Sequence, residues 1–457
     1  IVFSEVARRY DVNEFTNREI IDPEGPQPVL GNLTESAVFD TPLPNLQDYQ
    51  EDLLFQTGAF QSHYLSVAGK SAQTNFLASV QRFEDEGIMQ NFDGYTRNVF
   101  RVNADHRIGG KLEVQVSSMY SFSDQDLLAP SSNGPGSFLA NSLFLTPMFN
   151  LGSVNEEDGS PYDWDIDNTG FGITNPLYDR ANSTQTVNRT RLLGNFTAKY
   201  FPKEWLTLSY AATIDRATNN FEHFLQKGYL SSNIPGLFGS LATSGVQGSA
   251  GGGIQRSNWQ SNYITSRFNA TVQRRFGGFN TAIRGSFLYE DLNYEFNDAI
   301  GENLSVAGIR SLDNARSNIF ISSEAQDVVG YSGFLIGDAD YKNKYIFSGL
   351  VRLEGTSLFG AENRWANYYR VSGAYRLTED VRIKGIQELK LRASVGTSGI
   401  RPTFEQRFET FELVNGVTTK NTLGNEFLRP ALSRETEIGV DMRFLKAFEL
   451  EFNYSQI

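Results

Sequence analysis

The stretch KLEVQVSSMYSF, residues 111–122, decides the fold because apolar and polar side chains alternate along it. In an extended strand, successive side chains point to opposite sides. The apolar residues then share one side: Leu112, Val114, Val116, Tyr120 and Phe122. The polar residues share the other: Lys111, Glu113, Gln115, Ser117 and Ser121. The pattern predicts a β-strand, and it leaves open whether the apolar side packs on a protein core or faces lipid.

The composition of the chain excludes several classes of protein. Its 457 residues include 35 Phe and 20 Tyr, which favour strands over helices. A net charge of −13 without any basic cluster argues against a nucleic-acid partner. Cysteine is absent, which excludes disulfide scaffolds and thiolate metal sites. The sequence also lacks an apolar run of roughly eighteen residues, so transmembrane helices are excluded and a membrane-crossing β-barrel stays possible.

The same period-two alternation predicts fourteen strands in seven pairs. The pairs are 62–69 with 74–83, 96–107 with 111–122, 190–200 with 205–215, 262–274 with 280–290, 331–341 with 345–355, 366–377 with 388–396, and 434–444 with 448–455. Within most pairs the turn is tight and contains Gly, Pro, Asn or Lys, as in RIGGK and YKNKY. Between pairs the connections are mostly far longer, at residues 123–189, 216–261, 291–330 and 397–433.

This asymmetry between short and long connections is typical of transmembrane β-barrels. Aromatic residues also stand at predicted strand ends, as in the girdle of such barrels: Tyr200, Phe201, Tyr210, Tyr289, Tyr341, Tyr345, Phe444, Phe448 and Tyr454. The sequence therefore predicts an all-β, antiparallel transmembrane barrel with long extracellular loops. A soluble β-rich binding or adhesion protein remains an alternative, because a half-buried strand pair shows the same period.

Several blocks of sequence carry a family resemblance. Residues 63–108 contain, in order, Ser66 with Gly69, Phe76, Glu86 with Gly87, Arg97, and Arg101 with Asn103. RLEGTSLFG contributes Arg352, Glu354, Gly355, Ser357, Phe359 and Gly360, and LKLRASVGTSGIRP contributes Gly396 and Gly399. The last block contains Gly424, Asn425, Leu428, Glu435, Gly439 and Asp441. Together they resemble the barrel of SusC/RagA-type TonB-dependent outer-membrane transporters, with a departure at Arg429-Pro430-Ala431, where the family more often has Pro-x-Leu-Lys.

The resemblance implies that the chain is part of a larger barrel. Such transporters close a barrel of about 22 strands around a plug, and a TonB box precedes the plug. We therefore expect residues 1–61 to form an early barrel loop with a short helix around SEVARRY. Residues 62–457 are expected to form the barrel wall, with the plug, the TonB box and the closing strands outside this sequence.

The resemblance also implies a function. It is active, TonB-dependent import of an oligosaccharide or oligopeptide across the outer membrane of a Gram-negative cell. The implied partners are a SusD-like surface lipoprotein, TonB with its inner-membrane motor complex, and lipid or lipopolysaccharide. A passive porin or a secretion-associated barrel is the alternative, since neither needs a plug or a TonB box. No enzymatic activity is expected, because none of the three His residues has a partner at metal-ligand spacing or in a triad-like pattern.

Two sets of residues are candidates for binding. Tyr162, Trp164 and Trp259 lie in predicted long loops, where aromatic rings suit the faces of sugars, although they can equally pack within their own loops. Asp163, Asp165 and Asp167 alternate in NEEDGSPYDWDIDN and can supply oxygen ligands to calcium. The twelfth position counted from Asp163 is Thr174, where an EF-hand has Glu. A solvated acidic loop is therefore the competing interpretation, and no other cofactor is expected.

The calcium hypothesis predicts that adding calcium to the purified protein slows amide hydrogen exchange in residues 155–168. Replacing Asp163, Asp165 and Asp167 together by Asn should abolish that protection, because the charged oxygen ligands are then lost. Unchanged exchange on calcium titration would leave only the solvated acidic loop.

Overall fold

The computed structural model describes residues 10–13, 18–21, 53–127, 142, 154, 159–161, 175–228, 251–414, 416–425 and 427–457. Eighteen strands and five short helical segments lie in these residues. The strands are β1 (Tyr10–Asn13), β2 (Arg18–Ile21), β3 (Phe60–Lys70), β4 (Thr74–Asp85), β5 (Tyr95–Ile108), β6 (Leu112–Leu127), β7 (Ser183–Lys203), β8 (Leu206–Leu225), β9 (Gly253–Phe276), β10 (Phe279–Leu304), β11 (Ala315–Tyr341), β12 (Tyr345–Thr356), β13 (Trp365–Arg376), β14 (Ile386–Ile400), β15 (Thr410–Val414), β16 (Val417–Thr422), β17 (Ala431–Phe444) and β18 (Phe448–Gln456). The α-helices are α1 (Pro176–Asn182) and α2 (Phe404–Arg407), and the 3₁₀ helices are Leu312–Asn314, Ala361–Asn363 and Leu377–Glu379.

Fourteen of these strands form one antiparallel sheet in the order β18-β17-β14-β13-β12-β11-β10-β9-β8-β7-β6-β5-β4-β3. Every neighbour in the sheet is also the next of these fourteen strands along the chain, as in an up-and-down meander. The fourteen predicted strands and their seven pairs are confirmed. Where a predicted strand extends past the observed one, at residues 111, 205 and 377, it does so by a single residue. The hairpins β1-β2 and β15-β16 stand outside this sheet.

The predicted long connections are partly wrong, because several strands run far beyond the expected length. β10 continues to Leu304 and β11 begins at Ala315, so only residues 305–314 connect them where 291–330 was expected. In the same way β8 extends to Leu225 and β9 begins at Gly253. These extensions have sequences such as NYEFNDAI, without a consistently apolar side. Continued pairing still satisfies their backbone groups, but the hydrophobic period that marks a half-buried strand is absent.

The structure describes little of residues 1–61. Of the stretch SEVARRY, only Tyr10 falls within the described residues, and it begins strand β1. The rest of the predicted helix lies outside them. Phe60 and Gln61, which were assigned to the early loop, are the first residues of β3.

The register of the sheet divides its side chains into two faces. The apolar face carries large side chains on every strand, for example Leu65, Phe76, Phe100, Val116, Phe196, Ile214, Phe268, Phe287, Leu335, Val351, Val371, Leu391, Ile438 and Phe452. These residues are exposed. In the opening stretch, Val116 and Tyr120 keep 43% and 44% of their surface. The apolar side of KLEVQVSSMYSF is therefore uncovered by the described protein, and it fits contact with lipid.

The polar face carries the alternate residues. Along β6 these include Glu113, Gln115 and Ser117, where the Ser117 hydroxyl donates a hydrogen bond to Asn103 Oδ1 at 2.7 Å. Across β7 and β8, the Arg191 guanidinium donates two hydrogen bonds to the Asp215 carboxylate, at 2.8 and 2.6 Å. This face therefore carries hydrogen-bonded and charged side chains along the same stretch of the strands where the opposite face carries apolar side chains.

The two ends of the sheet differ in the length of their connections. At the short-turn end, aromatic rings pair across neighbouring strands. Tyr345 stacks on Tyr375 at 5.1 Å, Phe279 contacts Tyr341 at 4.5 Å, and Phe444 stacks on Phe448 at 5.4 Å between ring centroids. This end therefore carries part of the predicted aromatic girdle, including Tyr341, Tyr345, Phe444 and Phe448.

The opposite, long-connection end contains small apolar clusters. Phe224, Ile254 and Leu304 are buried together, and Leu312 and Ala315 pack against them. Residues 305–314 thus fold back onto the tips of β8, β9 and β10. Within the described part of the chain, no helix is both long and apolar enough to cross a membrane.

The two faces predict different costs in stability for an introduced charge. Val116→Arg should lower the free energy of unfolding by about 2–4 kcal/mol, because it places a cation in the middle of the apolar face. Ser117→Arg, one residue away on the polar face, should change it by about 0–0.5 kcal/mol. The measurement is urea unfolding of the full-length protein folded into lipid vesicles. Equal costs for the two variants would contradict the assignment of faces.

Candidate functional site

A network of four charged residues lies on the polar face near the long-connection end. Arg401 Nε donates to Glu354 Oε1 at 2.6 Å, and its Nη2 donates to Glu290 Oε2 at 2.7 Å. Arg352 lies 3.0 Å from the other oxygen of Glu354. The Tyr263 hydroxyl donates to Glu290 Oε1 at 2.7 Å. The network joins β9, β10 and β12 to the residue that follows β14.

Burial explains why these charges are paired. The Glu354 side chain keeps only 4% of its surface, and an isolated carboxylate at that depth would be strongly unfavourable. Two guanidinium groups and two carboxylates make the network neutral. Burial alone would lower the pKa of Arg401, but its hydrogen bonds to Glu290 and Glu354 outweigh burial and raise that pKa above its ordinary value.

The motif RLEGTSLFG places the central members of this network. Arg352 and Glu354 alternate on β12 and so share the polar face. Gly355 lies under the Trp365 ring, where an added Cβ would come within 2.8 Å of ring atoms. Phe359 is fully buried with Ala366 and Tyr368. Glycine at position 355 therefore leaves room for the Trp365 ring, and Phe359 anchors the turn that follows Glu354 by its burial.

Arg401 also begins an excursion between β14 and β17, called here the 401–430 excursion, in which the described residues 401–414, 416–425 and 427–430 contain α2 and the β15-β16 hairpin. Thr403 and Gln406 form a reciprocal capping box at the start of α2. Farther along, the Gly360 N–H donates to the Leu428 carbonyl at 3.1 Å, and Asn363 Nδ2 donates to the Phe427 carbonyl at 3.2 Å. The excursion thus packs on the connection between β12 and β13. Its first residue, Arg401, is held by hydrogen bonds to Glu354 and Glu290.

Trp259 lines a second feature of the polar face, a cavity of about 460 Å³. The cavity is lined by Val187, Arg189, Phe221, Trp259, Ser261 and Tyr294, among others. Trp259 stacks on Phe296 with 5.2 Å between ring centroids. Aromatic walls with a few polar groups between them are usual for small-molecule sites.

The expectation that Trp259 lies in a loop is wrong. It is a residue of β9, paired with Asn219 of β8 and Phe296 of β10. The strand extension that the sequence did not reveal is the reason. Tyr162, Trp164, Asp163, Asp165 and Asp167 lie outside the described residues, so their predicted roles stay predictions.

A row of buried polar side chains continues from the cavity toward the strand tips. Asp298 accepts hydrogen bonds from Ser257 Oγ at 2.5 Å and from Gln255 Nε2 at 3.0 Å. His223 lies directly across from Gln255 and contacts Ser183 Oγ at 3.3 Å. Among the residues that the structure describes, no group of three or more His, Cys, Asp or Glu side chains could hold a metal ion.

The chain matches a known protein family over most of its length. A family model described as TonB dependent receptor-like, beta-barrel, matches residues 142–455. Among curated proteins, TonB-dependent receptor P26 of Formosa agariphila is 28% identical over 94% of this chain and 43% of its own length. TonB-dependent receptor P3 of the same organism is 24% identical over 91% of this chain and 41% of its own length. The chain thus spans less than half the length of these relatives.

Solved structures share the fold. The RagAB peptide transporter aligns with a TM-score of 0.69 and 17% identity, over 90% of this chain and 45% of the other. The RagAB peptide importer in its closed-closed state aligns with a TM-score of 0.70 and 16% identity, over 99% of this chain and 48% of the other. The fourteen-stranded sheet therefore has the fold of about half of such a chain.

The Arg401 network predicts a measurable coupling between loop and wall. Arg401→Gln should lower the free energy of unfolding by about 2–4 kcal/mol, because it leaves the buried Glu354 and the half-buried Glu290 without their shared cation. A double-mutant cycle with Glu290→Gln should give a coupling of about 1–3 kcal/mol. The measurement is urea unfolding in detergent micelles.

A matched control is Arg443→Gln. Arg443 pairs with Glu449 at 2.9 Å, but the two side chains are 52% and 72% exposed. Loss of such an exposed pair should cost about 0–1 kcal/mol. Equal costs for the Arg401 and Arg443 variants would show that the Arg401 network does not hold the excursion.

Proposed function

The chain belongs to the family of TonB-dependent receptor β-barrels, and from that premise we propose that it forms part of the wall of an outer-membrane importer. The observation that carries the proposal is the pair of faces on the sheet. Fourteen strands expose apolar side chains on one face and place charges and hydroxyls on the other. Such a sheet suits a wall between lipid and water.

The proposed activity is energy-driven import of a large nutrient, either an oligosaccharide or an oligopeptide. Family membership supports a TonB-dependent transporter and no enzymatic role. The fold shared with a peptide importer makes oligopeptides worth testing, while the aromatic walls of the Trp259 cavity suit sugar rings as well as aromatic or apolar peptide side chains. In this proposal substrate passes along the polar face, and Trp259 provides one contact surface.

The proposed partners follow from the SusC/RagA resemblance. A SusD-like surface lipoprotein would meet the long-connection end, which includes the 401–430 excursion. TonB and its inner-membrane motor complex would act from the periplasmic side. The proposed location is the outer membrane, with the short-turn end in the periplasm. Calcium bound by Asp163, Asp165 and Asp167, and substrate contacts from Tyr162 and Trp164, remain part of the proposal.

Energy dependence is the test of the proposed activity. Uptake of labelled oligosaccharide and oligopeptide mixtures should depend on the full-length protein in cells. It should stop when TonB is deleted or when an uncoupler collapses the proton gradient. Uptake that persists after both treatments would favour a passive porin instead.

The Trp259 cavity gives a second prediction. Trp259→Ala should weaken binding of whichever mixture the purified protein retains by roughly three- to tenfold, because a stacking surface is lost. Trp205→Ala is the control, since Trp205 lies in the short turn after β7 and contacts Arg274. Binding can be followed by fluorescence anisotropy of the labelled mixture. An effect of the same size in both variants would remove the cavity from the proposed route.

A further inference from the structure

The short-turn end of the sheet carries a row of basic side chains. This row, called here the short-turn rim, consists of residues in the turns or at strand ends: Lys70, Lys111, Lys203, Lys342, Arg382, Lys384 and Lys446. They are exposed, and none forms an ion pair within the described part of the chain. The same turns contain three carboxylates, Glu204, Glu379 and Asp380, and Asp380 is already paired with Lys344. The rim therefore carries a net positive charge.

Backbone geometry makes two of these lysines unusual. Lys342 and Asn343 have φ of 52° and 56°, and Leu445 and Lys446 have φ of 52° and 62°. The corresponding turn after β5 uses Gly109 and Gly110, with φ of 56° and 72°. This left-handed region suits Gly and Asn and is unfavourable for Lys. Turn formation therefore does not explain lysine at positions 342 and 446, and strain of this kind points to a role for the side chain.

The cations of this end sit over the aromatic girdle. Lys342 Nζ is 5.2 Å from the centroid of the Tyr341 ring, and Lys344 Nζ is 4.7 Å from that of Tyr345. The Arg274 guanidinium is 4.9 Å from the Trp205 ring. Tyr341 and Tyr345 belong to the apolar face, because the register continues that face to the turn. The positive charges thus stand at the boundary of the lipid-facing surface.

On β10 and β11, the other boundary of the apolar face carries carboxylates. Beyond Tyr289 and Tyr331, which contact each other at 5.3 Å, the same face of β10 and β11 carries Asp291, Glu295 and Asp327. Within the described part of the chain these carboxylates have no cationic partner. On these two strands the apolar face therefore ends in carboxylates at one boundary, while the turn at its other boundary carries Lys342.

We propose that the short-turn rim binds the headgroups of anionic phospholipid in the periplasmic leaflet of the outer membrane, an inference that rests on the proposed function. Aromatic girdles lie at headgroup depth, so Lys342 and its neighbours reach the phosphodiester level. Each lysine offers three donors to phosphate oxygens. A zwitterionic headgroup brings its own cation and would compete less well for this surface.

The test is native mass spectrometry of the full-length protein in mild detergent. The probes are phosphatidylglycerol and phosphatidylcholine with identical acyl chains. The wild-type protein should retain several-fold more phosphatidylglycerol, and high salt should remove the preference. The double variant Lys342→Asn with Lys446→Asn should retain about threefold less phosphatidylglycerol than the wild-type protein, or less still. Its thermal midpoint should stay the same or rise, because Asn tolerates the left-handed backbone better than Lys.

The control is Lys227→Asn with Lys420→Asn, which removes the same charge at the long-connection end. It should leave phosphatidylglycerol retention unchanged. Three results would overturn the inference while leaving the proposed importer intact. They are equal retention of the two lipids by the wild-type protein, undiminished phosphatidylglycerol retention by the rim variant, and an equal loss of retention in the control. Retention of an acidic periplasmic protein in place of lipid would overturn it as well. A protein that stays in solution without detergent would overturn the proposed function, and this inference with it.

Discussion

The fold depends on one constraint: every backbone N–H and C=O in the sheet must find its partner on a neighbouring strand. In lipid there is no water to replace a missing hydrogen bond, so an interrupted ladder would be costly. Between its two edge strands, β3 and β18, the described sheet keeps this constraint closely. Its register shifts only at Tyr200/Lys203, Ile300/Glu302 and Ile386/Glu388, all near strand ends. Across the apolar band between the two ends, the pairing runs without a bulge from β3 to β18.

An unbroken ladder also fixes where each side chain points, and this creates the polar face. Residues far apart in sequence meet because their strands hold a common register. Glu290 and Arg401 are separated by 111 positions and form a 2.7 Å hydrogen bond. Glu354 joins them because β12 holds it on the same face, two residues from Arg352. Burial of the Glu354 carboxylate makes pairing necessary, and the two guanidinium groups leave the network neutral.

The two ends of the sheet lie beyond the apolar band, where water can satisfy backbone groups. Their connections and side chains therefore differ from each other. At the short-turn end, tight turns leave aromatic rings and exposed lysines at the boundary of the apolar face. At the long-connection end, strands such as β10 and β11 continue far past the apolar band with polar side chains on both faces. The candidate binding features, the Trp259 cavity and the 401–430 excursion, lie at this second end.

The sequence by itself determined the strands and their pairing, because alternation over a hydrophobic band is a local signal that lipid contact enforces at each strand. KLEVQVSSMYSF assigned its own two faces correctly, since a strand has only two. It did not reveal where strands continue beyond that band, so Trp259 was predicted in a loop, and it did not identify Arg401 or Glu290. Those placements depend on register across several strands and on which charges become buried together. Only the tertiary structure decides them, because no local pattern records a neighbour more than a hundred residues away.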